Sequence, residues 1–316
     1  MPSIANEHLS SCEDRHIAAQ LFKMGVERII LETSSYCNRR CGYCPNAFVD
    51  RITNKKFISD EIFTRVLNNL GEIDFTGAIV LHFYNEPLAD PHICERVAQA
   101  ARTCPNAIVQ LFTNGDYLTR EYVDRLRTAG LKSLQISPHL GNTAPWTDAA
   151  VLHRLTELAV RIGKPADVKH LLPGREIDAH FPDKGMDIRF FHRDYYNYGG
   201  STRGGLLDNI AIPEVRDLPC LMPLTEFYVS WDGFVVPCCH IHPDAPAHQG
   251  YKVGNVADYP DIFMLYAGAG LAEWRRSLLA PGGRRPPCDS CPIGVVDPDM
   301  INFIRGFYEK AMAGRV

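Results

Sequence analysis

The chain has 316 residues, of which 46% are hydrophobic and 22% charged. That is the profile of a globular protein long enough for one large α/β domain and a smaller appendage. A net charge of −4 excludes bulk attraction to nucleic acid or an anionic membrane. No apolar run approaches the roughly 18 residues needed to span a bilayer. The N-terminus, MPSIANEHLSSCEDRH, is too polar for a signal peptide, so a cytoplasmic location is expected.

Residues 1–27 read as an N-terminal helical extension. Strands are predicted at Arg28–Glu32, Ala78–Phe83, Ala107–Phe112, Ser133–Ile136, Val168–Leu172 and Asp187–Phe191, with helical patterns between them. In the first helix Ile58, Ile62, Phe63, Val66, Leu67 and Leu70 repeat at helical spacing, behind Ser59 as N-cap. Others begin near Pro91, Thr119 and Thr147. Strands joined by helical crossovers imply a parallel sheet. A full (β/α)8 barrel takes about 250 residues. Residues 28–205 are fewer, so the fold class is α/β with a partial (β/α)6 barrel.

From Tyr195 the segment YYNYGGSTRGG is rich in glycine and aromatics and reads as a linker. It lacks phosphate-loop spacing and therefore carries no nucleotide role. Residues 206–316 then form a small C-terminal domain. It contains a hairpin, EFYVSWDGFVVPCC, turning at Asp232-Gly233.

Eleven cysteines are many for a chain with no secretory signal, and seven sit at ligand-like spacings. Cys37, Cys41 and Cys44 form C-x3-C-x2-C directly after the first strand. Three such thiolates suit three irons of a [4Fe–4S] cluster, leaving the fourth open; spacing alone also admits zinc. Cys220, Gly233 and Cys238 read C-x12-G-x4-C, and Cys288 and Cys291 follow as C-x2-C. Four thiolates here suit either a second cluster or a zinc knuckle. Cys12, Cys94 and Cys104 read as packing or surface residues.

The segment CNRRCGYC, with Tyr43 before its last cysteine, resembles the signature of the radical S-adenosylmethionine (SAM) superfamily. FYNEP resembles that family's Gly-Gly-Glu motif, which implies that Glu86 holds the SAM amino group. TNG implies that Thr113 and Asn114 lie near the SAM ribose and carboxylate. Ser137 takes a SAM-proximal position, although the usual Ser-x-Asp-Gly is here Ser137-Pro138-His139. The four C-terminal cysteines resemble the shortened SPASM domain called Twitch, which implies one fully ligated auxiliary [4Fe–4S] cluster.

The resemblance implies SAM and two [4Fe–4S] clusters as cofactors and a flavodoxin- or ferredoxin-type reductant. It implies a small-molecule or peptide substrate, with no nucleic-acid or membrane partner. A 5′-deoxyadenosyl radical would abstract hydrogen from a carbon of an aminoglycoside-type sugar or another polar natural-product intermediate. Cys239, next to Cys238, is similar to the hydrogen-donor cysteine of radical SAM epimerases, including the neomycin C epimerase type. Epimerisation with Cys239 as donor is the reaction expected. The alternatives are two-electron dehydrogenation of an aminocyclitol or sugar, as in the butirosin-pathway dehydrogenase, and epimerisation or crosslinking of a ribosomal peptide.

Other residues carry plainer expectations. His240, His242 and the tyrosines 195, 196 and 198 read as loop or rim residues. Arg275, Arg276, Arg284 and Arg285 read as a solvated basic face. Arg203, in STRGG, has no implied role.

Overall fold

The computed structural model describes residues 6–141, 144–198, 201–210, 220–279 and 284–291. Helix α1 (Arg15–Gly25) starts at Asp14, whose carboxylate accepts from the amides of His16 and Ile17, and leads into β1 (Arg28–Leu31). Helix α2 (Asp60–Glu72) starts at Ser59, as its sequence predicts, and buries Phe63, Val66, Leu67 and Leu70 against the sheet. Then come β2 (Ala78–Val80), α3 (Ile93–Thr103), β3 (Ile108–Thr113), α4 (Arg120–Thr128), β4 (Ser133–Ile136) and α5 (Asp148–Ile162). Thr119 and Thr147 cap α4 and α5.

The next elements are β5 (Asp167–Leu172), β6 (Glu176–Phe181) and β7 (Asp187–Arg193). They are followed by α6 (Met222–Thr225), β8 (Glu226–Val229), β9 (Phe234–Val236), β10 (Gly254–Asn255), α7 (Ile262–Tyr266) and α8 (Ala269–Leu279).

Among the described residues, all ten strands form one sheet in the order β10-β9-β8-β1-β2-β3-β4-β7-β6-β5. Its central run, from β8 to β7, is parallel throughout. Six parallel strands are therefore present, but not the six predicted. The fifth candidate, β5, pairs antiparallel with the unpredicted β6, which pairs antiparallel with β7. β5 is exposed along nearly its whole length, as an outermost strand can be.

The sixth parallel place belongs to β8, with Arg28 opposite Glu226 and Leu31 opposite Val229. The hairpin of β8 and β9 exists, yet its first strand completes the main sheet and does not stand apart in a C-terminal unit. Phe227, Tyr228 and Val229 are all buried, as a strand covered on both faces requires. β2 ends at Val80, although the Leu81 amide still donates to Gln110 O of β3 at 3.0 Å, and beyond it His82 and Phe83 line the site.

Gly233 makes the hairpin turn at φ +85°, where a Cβ would also meet Asn255 Oδ1 at 2.8 Å. Arg275 departs from the predicted basic face. It is 1% exposed and donates to the carbonyls of Pro223, His8 and Tyr266 at 3.0, 3.0 and 2.6 Å. Those three bonds tie the N-terminal segment to α6 and α7. No helix among the described residues is long and apolar enough to cross a membrane.

Candidate active site

The loop after β1 carries the first cysteine motif. The Cys37 amide donates to Arg51 O at 3.0 Å and the Cys44 amide to Cys41 O at 2.9 Å, folding the loop over its thiols. Burial pushes the thiols of Cys37 and Cys41 up to about 12. Such thiols ionise only with a cationic partner, as a metal cluster provides.

Glu86 follows β2 and is 2% exposed. Its Oε1 accepts from Thr113 Oγ1 at 2.6 Å and from the Leu88 amide at 3.0 Å; its Oε2 accepts from the Asn114 amide at 2.8 Å. The residue thus caps the short turn Pro87–Ala89 and also meets the end of β3. Burial lifts its carboxyl to about 7, against the pull of those bonds. The Asn114 side chain donates to Asn38 Oδ1 at 2.8 Å, and Arg39 pairs with Asp116 at 2.5 Å. The β3 end is therefore fastened to the cysteine loop.

Tyr43 hydrogen-bonds His139 Nδ1 and stacks on Tyr195 with ring centroids 4.8 Å apart. The Ser137 amide donates to Thr113 O at 2.8 Å. One cavity of about 390 Å³ is lined by Cys37, Cys41, Cys44, Tyr43, Glu86, Thr113, Asn114, Ser137 and Cys239. The N-terminal residues singled out in the sequence are brought together here, and so is Cys239.

A second, smaller cavity is lined by Cys220, Cys238, Cys288 and Cys291, with Met222, Trp274 and Leu278 among its apolar walls. Four thiols around a nearly dry space fit a fully ligated cluster. Among the described residues, no three His, Cys, Asp or Glu side chains close on a point that would hold a single ion. Met222 belongs to both cavity walls.

Buried polar contacts join the two regions. Tyr84 donates its hydroxyl to Cys239 O at 2.8 Å. Arg51, in the first cysteine loop, lies 2.8 Å from Glu32 and 2.9 Å from Asp244, beyond the hairpin. His242 is fully buried beside Asn46 and is no loose loop residue.

Three further cavity residues were given no role by the sequence. His82 and Glu226 face the interior from β2's continuation and from β8. Arg203 reaches it from a backbone at φ +49°, with its cation near Tyr84, Cys239 and Cys44. Only the non-local packing places them there.

A profile of the radical SAM superfamily matches residues 31–168, and one for SPASM, an iron–sulfur cluster-binding domain, matches residues 220–292. The chain is a radical SAM enzyme with a SPASM domain. It is 28% identical over 272 residues to the SAM-dependent 2-deoxy-scyllo-inosamine dehydrogenase of Niallia circulans, covering 86% of this chain and 92% of that one. A shorter likeness, 34% over 110 residues, is to the PqqA peptide cyclase of Bradyrhizobium diazoefficiens; it covers 34% of this chain and 27% of that one. The crystal structure of BtrN with AdoMet and 2-DOIA shares the fold, at TM-score 0.59 and 22% identity, over 84% of this chain and 92% of that one. The radical SAM and SPASM domains bring SAM and [4Fe–4S] clusters as cofactors.

Proposed function

We propose that this radical SAM enzyme dehydrogenates a secondary alcohol of an aminocyclitol or related amino sugar. The observation that carries this reading is the position of the four-cysteine cavity. It lies behind the wall of the reaction cavity, with Met222 shared and Cys238 and Cys239 facing opposite ways. Oxidation after loss of one hydrogen atom needs an electron acceptor beside the substrate, and a four-thiolate cluster suits that task. The likeness to a dehydrogenase over most of both chains supports the same choice.

The barrel interior also favours a polar substrate. His82, Gln135, Glu226, Tyr228 and Arg203 stand where closed barrels carry layers of aliphatic side chains. The cavity's size falls in the range of small-molecule sites.

In this reading residues 28–205, completed by β8, form the radical-generating core and the rest of 206–316 the auxiliary domain, with 1–27 as an N-terminal helical extension. Cys37, Cys41 and Cys44 hold the catalytic cluster; Cys220, Cys238, Cys288 and Cys291 hold the auxiliary one. SAM, when bound beside the catalytic cluster, would supply the hydrogen-abstracting radical. Glu86, oriented by Thr113 and the Asn114 amide, accepts the SAM ammonium. Tyr43, Asn114 and Ser137 line the remainder of its seat.

One observation favours a second reading, epimerisation. Cys239 faces the reaction cavity, and burial pushes its thiol up to about 12, so it stays protonated as a hydrogen donor must. Anaerobic turnover of 2-deoxy-scyllo-inosamine with SAM and a one-electron reductant separates the two. Dehydrogenation gives the ketone. An isomer of unchanged mass, lost in Cys239→Ala, would establish epimerisation instead.

A further inference from the structure

Taking a hydrogen atom from a secondary alcohol leaves a carbon radical whose hydroxyl still holds its proton. A base must accept that proton as the ketone forms. The groups facing the cavity can be tested one by one.

Glu86 already accepts from Thr113, Leu88 and the Asn114 amide, and in the reading above its remaining capacity is taken by the SAM ammonium. Both oxygens of Glu226 are occupied as well, by Arg28 and the Tyr228 hydroxyl. Burial keeps the Cys239 thiol and the hydroxyls of Tyr43, Tyr84 and Tyr195 protonated. His139 is already engaged at Nδ1 by the Tyr43 hydroxyl and is packed against the rings of His192 and Tyr195, which leaves it the less available of the two cavity histidines. Arg28, Arg39 and Arg203 are cations.

His82 is left. It lies two residues beyond Val80, on the same inward face, with its ring 5.7 Å from that of Phe112. Among the described residues no hydrogen bond or ion pair engages it. We propose that His82 is the proton acceptor of the dehydrogenation, a role that rests on the reading above. Burial, and then the Arg203 cation, lower its pKa to about 4, so it is neutral at pH 7 and sheds a captured proton readily.

The step balances. The C–H bond breaks homolytically and its hydrogen goes to the deoxyadenosyl carbon. The hydroxyl proton goes to the free ring nitrogen of His82, and the remaining electron goes to an iron–sulfur acceptor in the SPASM domain. The carbonyl forms.

The test compares wild type, His82→Gln and His82→Gly, each with iron content and melting temperature confirmed, on 2-deoxy-scyllo-inosamine. His82→Gln should bind the aminocyclitol with unchanged Kd and still form 5′-deoxyadenosine. Its ketone yield should fall about 100-fold, the scale of a lost general base. Imidazole in the buffer should restore ketone to His82→Gly and leave the wild type unchanged. Ketone at the wild-type rate from His82→Gln overturns the role, and so does a defect confined to Kd. Wild type that forms deoxyadenosine without ketone overturns the dehydrogenation reading and this role together.

Discussion

Cys238 and Cys239 are consecutive, yet Cys238 lines the four-cysteine cavity and Cys239 the reaction cavity. They sit in the turn after β9, where the Ile241 amide donates to Cys238 O at 3.3 Å, and one peptide link separates the two chambers. Two [4Fe–4S] clusters correspond to about eight irons per chain. Cys288→Ala with Cys291→Ala should roughly halve that number while leaving the first cluster in place. Cys239→Ala should keep all of it. Iron and sulfide assay after anaerobic reconstitution measures both.

Glu86 is an acceptor for three donors and, in the proposed role, for the SAM ammonium. Glu86→Gln places an amide N–H₂ where donors already converge and removes the charge. Leaving buried donors unpaired costs about 1–3 kcal/mol. SAM affinity, measured by equilibrium dialysis on the reconstituted protein, should therefore fall at least about 10-fold.

Arg51 is 1% exposed and Glu32 fully buried. Glu32 Oε1 also accepts from the Tyr84 amide at 2.9 Å, so one ion pair links β1, the cysteine loop and the segment preceding Glu86. Arg51→Met strands the Glu32 carboxylate and should cost about 3–5 kcal/mol in denaturant unfolding. Adding Glu32→Gln should recover part of that loss, because the two residues are coupled.

His192, on β7, is 2% exposed and packs 5.2 Å from the Trp146 ring, and burial lowers its pKa to about 4. In the unfolded chain a histidine titrates near 6.5. A depressed folded value gives stability that is complete above about pH 6.5 and declines as pH falls toward 4. Between pH 6.5 and 5 this group should remove about 2 kcal/mol. Urea unfolding across that window should show a shallower acid slope for His192→Phe.

The cysteine motifs, Glu86 and the cap residues were legible because their signals are local: spacing, a strand end, a hydroxyl before an amphipathic run. The alternation of Glu176–Phe181, buried at every second residue, was also legible in principle, but a short strand next to β5 breaks the expected strand–helix rhythm. The pairing of β8 with β1 was not legible, since it joins residues about 200 positions apart. For the same reason the sequence hides His82 and Arg203, whose meaning lies in what surrounds them, and Arg275, two of whose three carbonyl partners, Pro223 and His8, are distant in sequence.

Oxidation of a substrate carbon after hydrogen-atom abstraction is the reaction proposed for this enzyme. Its most direct test uses an aminocyclitol deuterated at the reacting carbon, incubated anaerobically in ordinary water with SAM and reductant, with both products analysed by mass spectrometry. Dehydrogenation requires deuterium in 5′-deoxyadenosine and a ketone that has lost the deuterium and the hydroxyl hydrogen. An alcohol carrying a solvent hydrogen in place of the deuterium, with inverted configuration and dependent on Cys239, would contradict it.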